Sequence, residues 1–358
     1  MRRRALMLAA ALGGAAPAFA LPARAMTFPR DHGSHPDFRT EWWYVTGHVR
    51  SAERDFGFQV TFFRSRVDGT QGMTSAFAAK HLVFAHAAIT DVQGQKLWHD
   101  QRIARAGFDI ALADEADTRL RLRDWSLVRE RASGHYRAVV RGADFALDLR
   151  FDPTQPVLLQ GRDGLSRKGP QEKQASYYYS QPQLAVHGTL QLQGQAFEVA
   201  ANASTPERNR AWLDHEWSEE LLHPDAVGWD WIGMNMDDGS ALTAFRLRDK
   251  AGRALWDGGS FRHPSAGLFR FSRGEVLFQA LRGWTSPLTQ TTYPVEWRVR
   301  TPADFYTVRA VVDAQELDSR TSTGAIYWEG LADLIDSNGR HAGRGYLEMT
   351  GYAKPLRL

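Results

Sequence analysis

Two runs decide the fold: Trp43-Tyr44-Val45-Thr46-Gly47-His48-Val49 and Phe56-Gly57-Phe58-Gln59-Val60-Thr61-Phe62-Phe63. Both are rich in aromatic and β-branched residues, which pack well on a pleated surface. A polar stretch separates them, so they read as the arms of a β-hairpin. Turn signals recur at Val92-Gln93-Gly94-Gln95, Asp237-Asp238-Gly239-Ser240, Asp249-Lys250-Ala251-Gly252 and Asp336-Ser337-Asn338-Gly339. Each lies between alternating apolar runs, as hairpin turns do. Long amphipathic helical patterns are scarce, with short helical turns expected near Ser218–His223 and elsewhere. The class is all-β, as a sandwich or a barrel.

A chain of 358 residues is comfortable for two domains. The halves carry a faint echo. Trp42-Trp43-Tyr44-Val45-Thr46-Gly47 and Val60-Thr61-Phe62-Phe63-Arg64 correspond to Trp229-Asp230-Trp231-Ile232-Gly233 and Leu242-Thr243-Ala244-Phe245-Arg246. Each is an aromatic-led strand, a turn, and a returning strand that ends Phe-Arg. The polar run 202–210, with Pro206, reads as the junction, giving domains at 26–205 and 206–358. The stretch 160–174 is rich in Gly, Lys and Arg and reads as a long surface loop bordering a site.

The start, Met1-Arg2-Arg3-Arg4 followed by a short apolar run and Ala18-Phe19-Ala20, reads as a signal peptide over residues 1–25. A second cleavage site is possible at Ala23-Arg24-Ala25. The apolar run is too short to span a bilayer. These residues hold Arg2, Arg3, Arg4 and Arg24 and no acid, so the remainder has 40 basic against 41 acidic residues. That balance gives no electrostatic case for nucleic acid or an anionic membrane. There is no cysteine, hence no disulfide and no lipid-bearing thiol. The expectation is a periplasmic or secreted protein without a membrane span.

Tryptophans recur beside acids: Glu41-Trp42-Trp43-Tyr44, Asp214-His215-Glu216-Trp217, Gly228-Trp229-Asp230-Trp231 and Tyr327-Trp328-Glu329-Gly330. Such pairing suits an aromatic-walled pocket holding a few ionisable groups. In an extended segment Asp214 and Glu216 share one face, and His215 and Trp217 the other. His215 is a proton donor or acceptor near neutral pH, and Trp217 an apolar face able to stabilise a cation. The competing reading makes Trp217 core and pairs the acids with arginines. Trp229 and Trp231 share a face and Asp230 takes the other, either against an arginine or in the cavity, where burial would raise its pKa.

Asp31-His32-Gly33-Ser34-His35 has the residue types of a metal half-site, but no companion motif appears, and turn-building explains the same residues. The expectation is no metal and no cofactor. No GxSxG elbow, P-loop or dinucleotide fingerprint is present. Carbohydrate stacking on the indoles stays open.

These clusters resemble the AttH/CrtC-like family of exported proteins, often described as secreted hydrolases or carotenoid 1,2-hydratase-like. The matching stretches are Phe28–Val49, Phe56–Arg66, Phe84–Asp91, Ser176–Leu184, Ala211–Trp217, Gly228–Gly233, Tyr327–Gly330 and Gly343–Tyr352. The resemblance implies two tandem lipocalin-like antiparallel β-barrel domains with a ligand site at or between them. It also implies acid-catalysed chemistry on an isoprenoid or lipid, in which a His-x-Trp pair acts with an acid and a tyrosine. Those positions match His215 and Trp217, with Asp214 or Asp230 as the acid and Tyr44 or Tyr178 as the phenol. Trp43, Trp229, Trp231, Glu41, Trp328 and Glu329 are expected to line the ligand site. The alternative implied by the exported branch is a carrier that passes an apolar ligand to a lipoprotein-export-type ABC transporter permease.

Overall fold

The computed structural model describes residues 21–51, 54–201, 209–220 and 222–356. Nine strands build the centre of the molecule. They are β1 (Thr40–Ser51), β2 (Arg54–Arg66), β3 (His81–Asp91), β4 (Ala175–Leu192), β5 (Arg210–Ser218), β6 (Gly228–Met236), β7 (Ala241–Arg248), β8 (Ala325–Ile335) and β9 (His341–Met349). Helix is confined, among the described residues, to single 3-10 turns at Arg30–His32 and Asp68–Thr70. Among the described residues of Ser218–His223 none is helical: Ser218 ends β5, and Glu219 and Leu222 are bends.

Among the described residues the first sheet has 14 strands and the second 10. In the first, the strand Lys96–Arg105 is followed across by β3, β2, β1, β5 and β4, then by Phe145–Asp152 and onward to Ala111–Ala113. Its far strands return towards β3, so the sheet rolls into a barrel. In the second, β7, β6, β9 and β8 are consecutive neighbours at the centre. The fold is therefore two tandem lipocalin-like antiparallel barrels. The turns expected at 92–95, 237–240, 249–252 and 336–339 each join neighbouring antiparallel strands.

The boundary between barrels differs from the sequence expectation. Most of the stretch 202–210 lies outside the described residues, but β5 lies downstream of it and pairs with both β1 and β4 of the first sheet. The change of sheet falls between Ser218 and Gly228. A polar, proline-bearing run marks a loop; it does not say whether the next strand closes the old sheet or opens a new one.

Alternation along β1 and β2 sorts side chains to two buried faces. Trp43, Val45, Val49, Phe56, Phe58, Val60 and Phe62 fill the lumen of the first barrel. Tyr44 points the other way, into a cluster with Trp212, Trp231, Phe245 and Tyr346 where the barrels meet. Close approach there needs a glycine. A Cβ on Gly57 would lie 2.8 Å from the Tyr346 hydroxyl.

The two halves share one device. In the first barrel Glu41 stands opposite Arg64 in the register of β1 and β2, and they form an ion pair at 2.9 Å. In the second, Asp230 stands opposite Arg246 in the register of β6 and β7, paired at 2.7 Å. The echo in the sequence thus corresponds to equivalent hairpins carrying equivalent buried acid–arginine pairs.

Candidate active site between the two barrels

Strand register lays out the outer face of the first barrel in rows. Phe84, Phe63, Trp42, Glu216 and Tyr178 are opposite one another across β3, β2, β1, β5 and β4. The next row is His86, Thr61, Tyr44, Asp214 and Ser180. From the second barrel, Glu329, Glu348, Trp231 and Phe245 form a row across β8, β9, β6 and β7. These rows enclose a cavity of about 650 Å³, well within the range of small-molecule sites.

Asp214 is the buried acid of the first-barrel wall, 4% exposed. Its Oδ1 accepts from Ser180 Oγ at 2.5 Å and Trp212 Nε1 at 2.6 Å, and its Oδ2 is 2.8 Å from the Tyr178 hydroxyl. Among the described residues no arginine or lysine pairs with it. Burial raises its pKa to about 7 against the opposing pull of those hydrogen bonds. Glu216, one row away, is matched by the Lys168 ammonium at 3.0 Å and by Ser176 Oγ at 2.5 Å. Lys168 comes from the loop stretch 160–174, which does border the cavity.

The second-barrel wall carries its own acids. Glu348 accepts from Trp229 Nε1 at 3.0 Å, and burial raises its pKa to about 7. Glu329 is 2% exposed. Its Oε2 accepts from Gln59 Nε2 at 2.7 Å. Burial and the neighbouring Glu348 push its pKa well above the usual carboxylate range. Tyr327 hydrogen-bonds His86 Nδ1 across the barrels at 2.8 Å. Burial drives His86 down to about 3, so its ring is neutral. The walls are aromatic: Tyr44 meets Trp231 edge-on with ring centroids 5.5 Å apart.

The expected site residues therefore separate. Asp214, Tyr44, Tyr178, Trp229, Trp231 and Glu329 line the cavity. His215, Trp217 and Trp43 face the lumen of the first barrel instead, because they alternate with Asp214 and Tyr44 along the strands. There Trp43 stacks on His215 at 4.5 Å, and Trp217 stacks on His35 at 3.8 Å. Glu41 borders the cavity, but its carboxylate is engaged in the lumen. Trp328 belongs to the core of the second barrel and donates Nε1–H to the Asp313 carbonyl at 2.7 Å. Asp230 corrects the expectation of a second candidate acid. It is fully buried in the second barrel against Arg246 at 2.7 Å, Arg248 at 3.0 Å and the Tyr352 hydroxyl at 2.8 Å. A carboxylate so held is part of the second barrel's framework, and it does not line the cavity.

The lumen network explains the Asp31–His35 segment. Glu41 accepts from Ser34 Oγ, the His35 amide, His35 Nδ1, Arg64 Nε and His215 Nε2, at 2.7–3.0 Å. His35 Nε2 reaches Asp31 Oδ1 at 3.0 Å, and Tyr179 links His32 at 2.8 Å to His215 at 3.2 Å. These donors hold the Glu41 pKa well below its ordinary value despite burial. His35, Glu41 and His215 offer ligand atoms within 4.8 Å of one another. Glu41 Oε2 accepts from Ser34 Oγ, the His35 amide and the Arg64 guanidinium, and its Oε1 is shared by the two imidazoles.

Sequence reasoning left out Glu348, Glu216, His86, Lys168 and Tyr327 as site residues. The register carried a signal for three of them. Glu348, Glu216 and Tyr327 are each one strand across, or one two-residue step along, from a cavity residue that was named; His86 lies two strands from Tyr44 across Thr61, and Lys168 lies beyond the strand Leu165–Arg167, so neither carried that signal.

Tandem lipocalin-like barrels with an aromatic, acid-bearing cavity between them define the class of this β protein. The chain belongs to the AttH-like family, whose model matches residues 19–352. It is similar to the crystal structure of an AttH protein from Nitrosomonas europaea, with 45% identity and a TM-score of 0.85, over 93% of this chain and 99% of that one. It shares its fold with kievitone hydratase from Nectria haematococca, at 12% identity and a TM-score of 0.71, over 92% of this chain and 94% of that one. Among curated proteins none matches. Among the described residues no helix is long and apolar enough to cross a membrane.

Proposed function

We propose that this protein adds water to, or hydrolyses, a hydrophobic isoprenoid or lipid in the interbarrel cavity, with Asp214 as the acid. The observation that carries this reading is a buried carboxyl without a cation partner, held near pKa 7, on a wall shared with tryptophans. An acid poised near neutral pH is what proton transfer to a ligand requires. The fold shared with a hydratase is compatible with it.

The hydrogen bonds support one placement of the proton. Asp214 Oδ1 is occupied by two donors, so the neutral acid carries its proton on Oδ2, towards Tyr178. Tyr178 then turns its own proton to the cavity, and proton transfer runs from Asp214 through Tyr178 to a ligand C=C. The resulting tertiary carbocation lies among aromatic faces, which stabilise positive charge. Water adds to the cation, and its proton returns to Asp214. His215 does not touch the ligand in this scheme.

The second reading is a carrier that hands an apolar ligand to a lipoprotein-export-type ABC permease. The aromatic walls favour it as much as they favour an enzyme; the unpaired Asp214 does not. Export to the periplasm, after removal of the basic and apolar leader, fits either role. The deciding experiment is mass spectrometry of the ligand that co-purifies from the native envelope, incubated with wild type and with Asp214→Asn. Gain of one water with wild type alone establishes a hydratase, and cleavage establishes a hydrolase. A ligand returned unchanged by both proteins establishes the carrier. Absence of any apolar ligand overturns both readings and favours sugar binding.

A further inference from the structure

The loop between β2 and β3 offers water an apolar face. Residues 69–79 carry no charged side chain. The loop is closed on itself by its own polar groups: Thr70 Oγ1 donates to the Ala79 carbonyl at 2.8 Å, and Gln71 Nε2 to the Lys80 carbonyl at 2.7 Å. Its large apolar side chains stay outside that closure, with Phe77 75% exposed and Met73 51%. From the loop after the strand Lys96–Arg105, the exposed Phe108 stacks on Phe77 with ring centroids 5.6 Å apart. Ile110 of the same loop is exposed as well. A single exposed Phe is ordinary, but two loops that join theirs in one exposed stack mark an interaction surface.

Two observations say what this surface meets. The first is charge. The Arg105 guanidinium lies over Phe108 at 3.9 Å and over Phe77 at 5.6 Å, and the exposed Lys80 ends the loop. Among the described residues no carboxylate pairs with either cation. The acids of the two loops are engaged elsewhere, Asp68 by Arg66 at 2.7 Å and Asp109 by Arg121 at 2.8 Å. Positive charge is thus local to this patch, whatever the balance of the whole chain. The second is continuity with the cavity. Ile103 stands opposite Phe84, so it extends the cavity row of Trp42, Phe63 and Phe84 onto the outermost strand, where it is exposed. Arg105 lies two residues further along that strand.

From this arrangement we infer that Phe77, Phe108 and Met73, rimmed by Arg105 and Lys80, dock the protein on a lipid bilayer with anionic headgroups. Apolar side chains dip below the headgroups of a bilayer while cations stay level with its phosphates, and the patch supplies both in one place. The row from Ile103 to Trp42 then gives an apolar ligand a path between membrane and cavity. Docking concerns where such a ligand enters and is independent of what Asp214 does to it.

The test is co-sedimentation of the protein, purified from its native source with its natural N-terminus, with vesicles of phosphatidylcholine and with vesicles of equimolar phosphatidylcholine and phosphatidylglycerol. Wild type should pellet with the anionic vesicles and less with the neutral ones. The Lys80→Gln, Arg105→Gln double variant should bind the anionic vesicles about tenfold more weakly, the scale of two basic side chains at an anionic surface. The Phe77→Ser, Phe108→Ser double variant should lose binding to both, with an unchanged melting temperature because both rings are exposed. Asp214→Asn should bind vesicles like wild type, so failure of docking and failure of the reaction are read separately. The chain has no cysteine, so Met73→Cys carries a single environment-sensitive dye. Its emission should shift to the blue on the anionic vesicles, and that of the same dye on Asn338→Cys, in the exposed turn 336–339, should not. Wild type that pellets with neither vesicle, aromatic variants that bind no less well, or a dye at position 73 that stays in water while the protein is bound overturns the docking. Equal binding to both vesicles overturns the anionic headgroup. A dimer that the aromatic variant breaks, without vesicle binding, gives the patch to a second copy instead.

Discussion

Asp214 and His215 are consecutive in the chain and act on opposite sides of one sheet. The Asp214 carboxyl faces the second barrel beside Tyr178, while the His215 ring is sealed in the first barrel between Glu41 and Tyr179. Their separation gives the two residues different roles, and the roles are separable by experiment.

Asp214→Asn removes the proton and keeps the shape. Turnover of the native ligand should fall about 10²–10⁴-fold, the usual contribution of a positioned general acid. Binding of the same ligand, followed by tryptophan fluorescence, should change little. A loss below tenfold would move the acid elsewhere on the cavity wall.

The pH dependence follows from the same carboxyl. With Asp214 held at about 7, turnover should fall as pH rises above that value. Stability carries the same sign. Asp214 and Glu348 bind their protons more tightly in the folded chain than in the unfolded one. What they contribute is fully present below the unfolded carboxyl value, about pH 4, and is lost as pH rises through about 7. Asp31 and Glu41 are shifted down, so their contribution is lost in the opposite direction, as pH falls. Asn cannot ionise, so the melting temperature of Asp214→Asn relative to wild type should rise from pH 5 to pH 8. A constant gap across that range would show that Asp214 is not shifted.

His215→Ala should damage the fold, not the chemistry. It leaves a cavity between Trp43 and Trp217 and strips a donor from the buried Glu41. An unfilled cavity and an unmade buried hydrogen bond together cost roughly 3 kcal/mol, readable by urea denaturation. Turnover per folded molecule should stay within a few-fold of wild type. A loss as large as that of Asp214→Asn would bring His215 into the reaction.

Asp230→Ala isolates the structural acid. It leaves the buried Arg248 and the half-buried Arg246 without their common partner, a defect worth about 3–5 kcal/mol. The second barrel should lose its cooperative melt at lower temperature, or the chain should fail to accumulate. Asp230→Asn keeps the hydrogen-bond acceptor and should recover part of the loss with turnover intact.

The alternation in Trp43–Val49 and Phe56–Phe63 was enough to read strands, a hairpin and an all-β class, because burial on a pleated sheet imposes a two-residue period. The repeated motif order carried the family. The same alternation also said that Asp214 and His215 part company, and Trp229 and Asp230 likewise. It could not say which face meets the second barrel. Both faces of β1, β5 and β6 are buried, so neither is marked polar.

What the sequence determined by itself is local: strand period, turns, the aromatic clusters, and the pairing of each acid with one side of its strand. The tertiary structure decided the rest. Only sheet order shows that Arg210–Ser218 closes the first barrel, that Glu348 stands opposite Glu329, and that Asp230 is neutralised by Arg246 and Arg248. The reason is physical. Strand periodicity is fixed by backbone geometry within a few residues, whereas the pKa of a buried carboxyl depends on which distant strand brings it a cation.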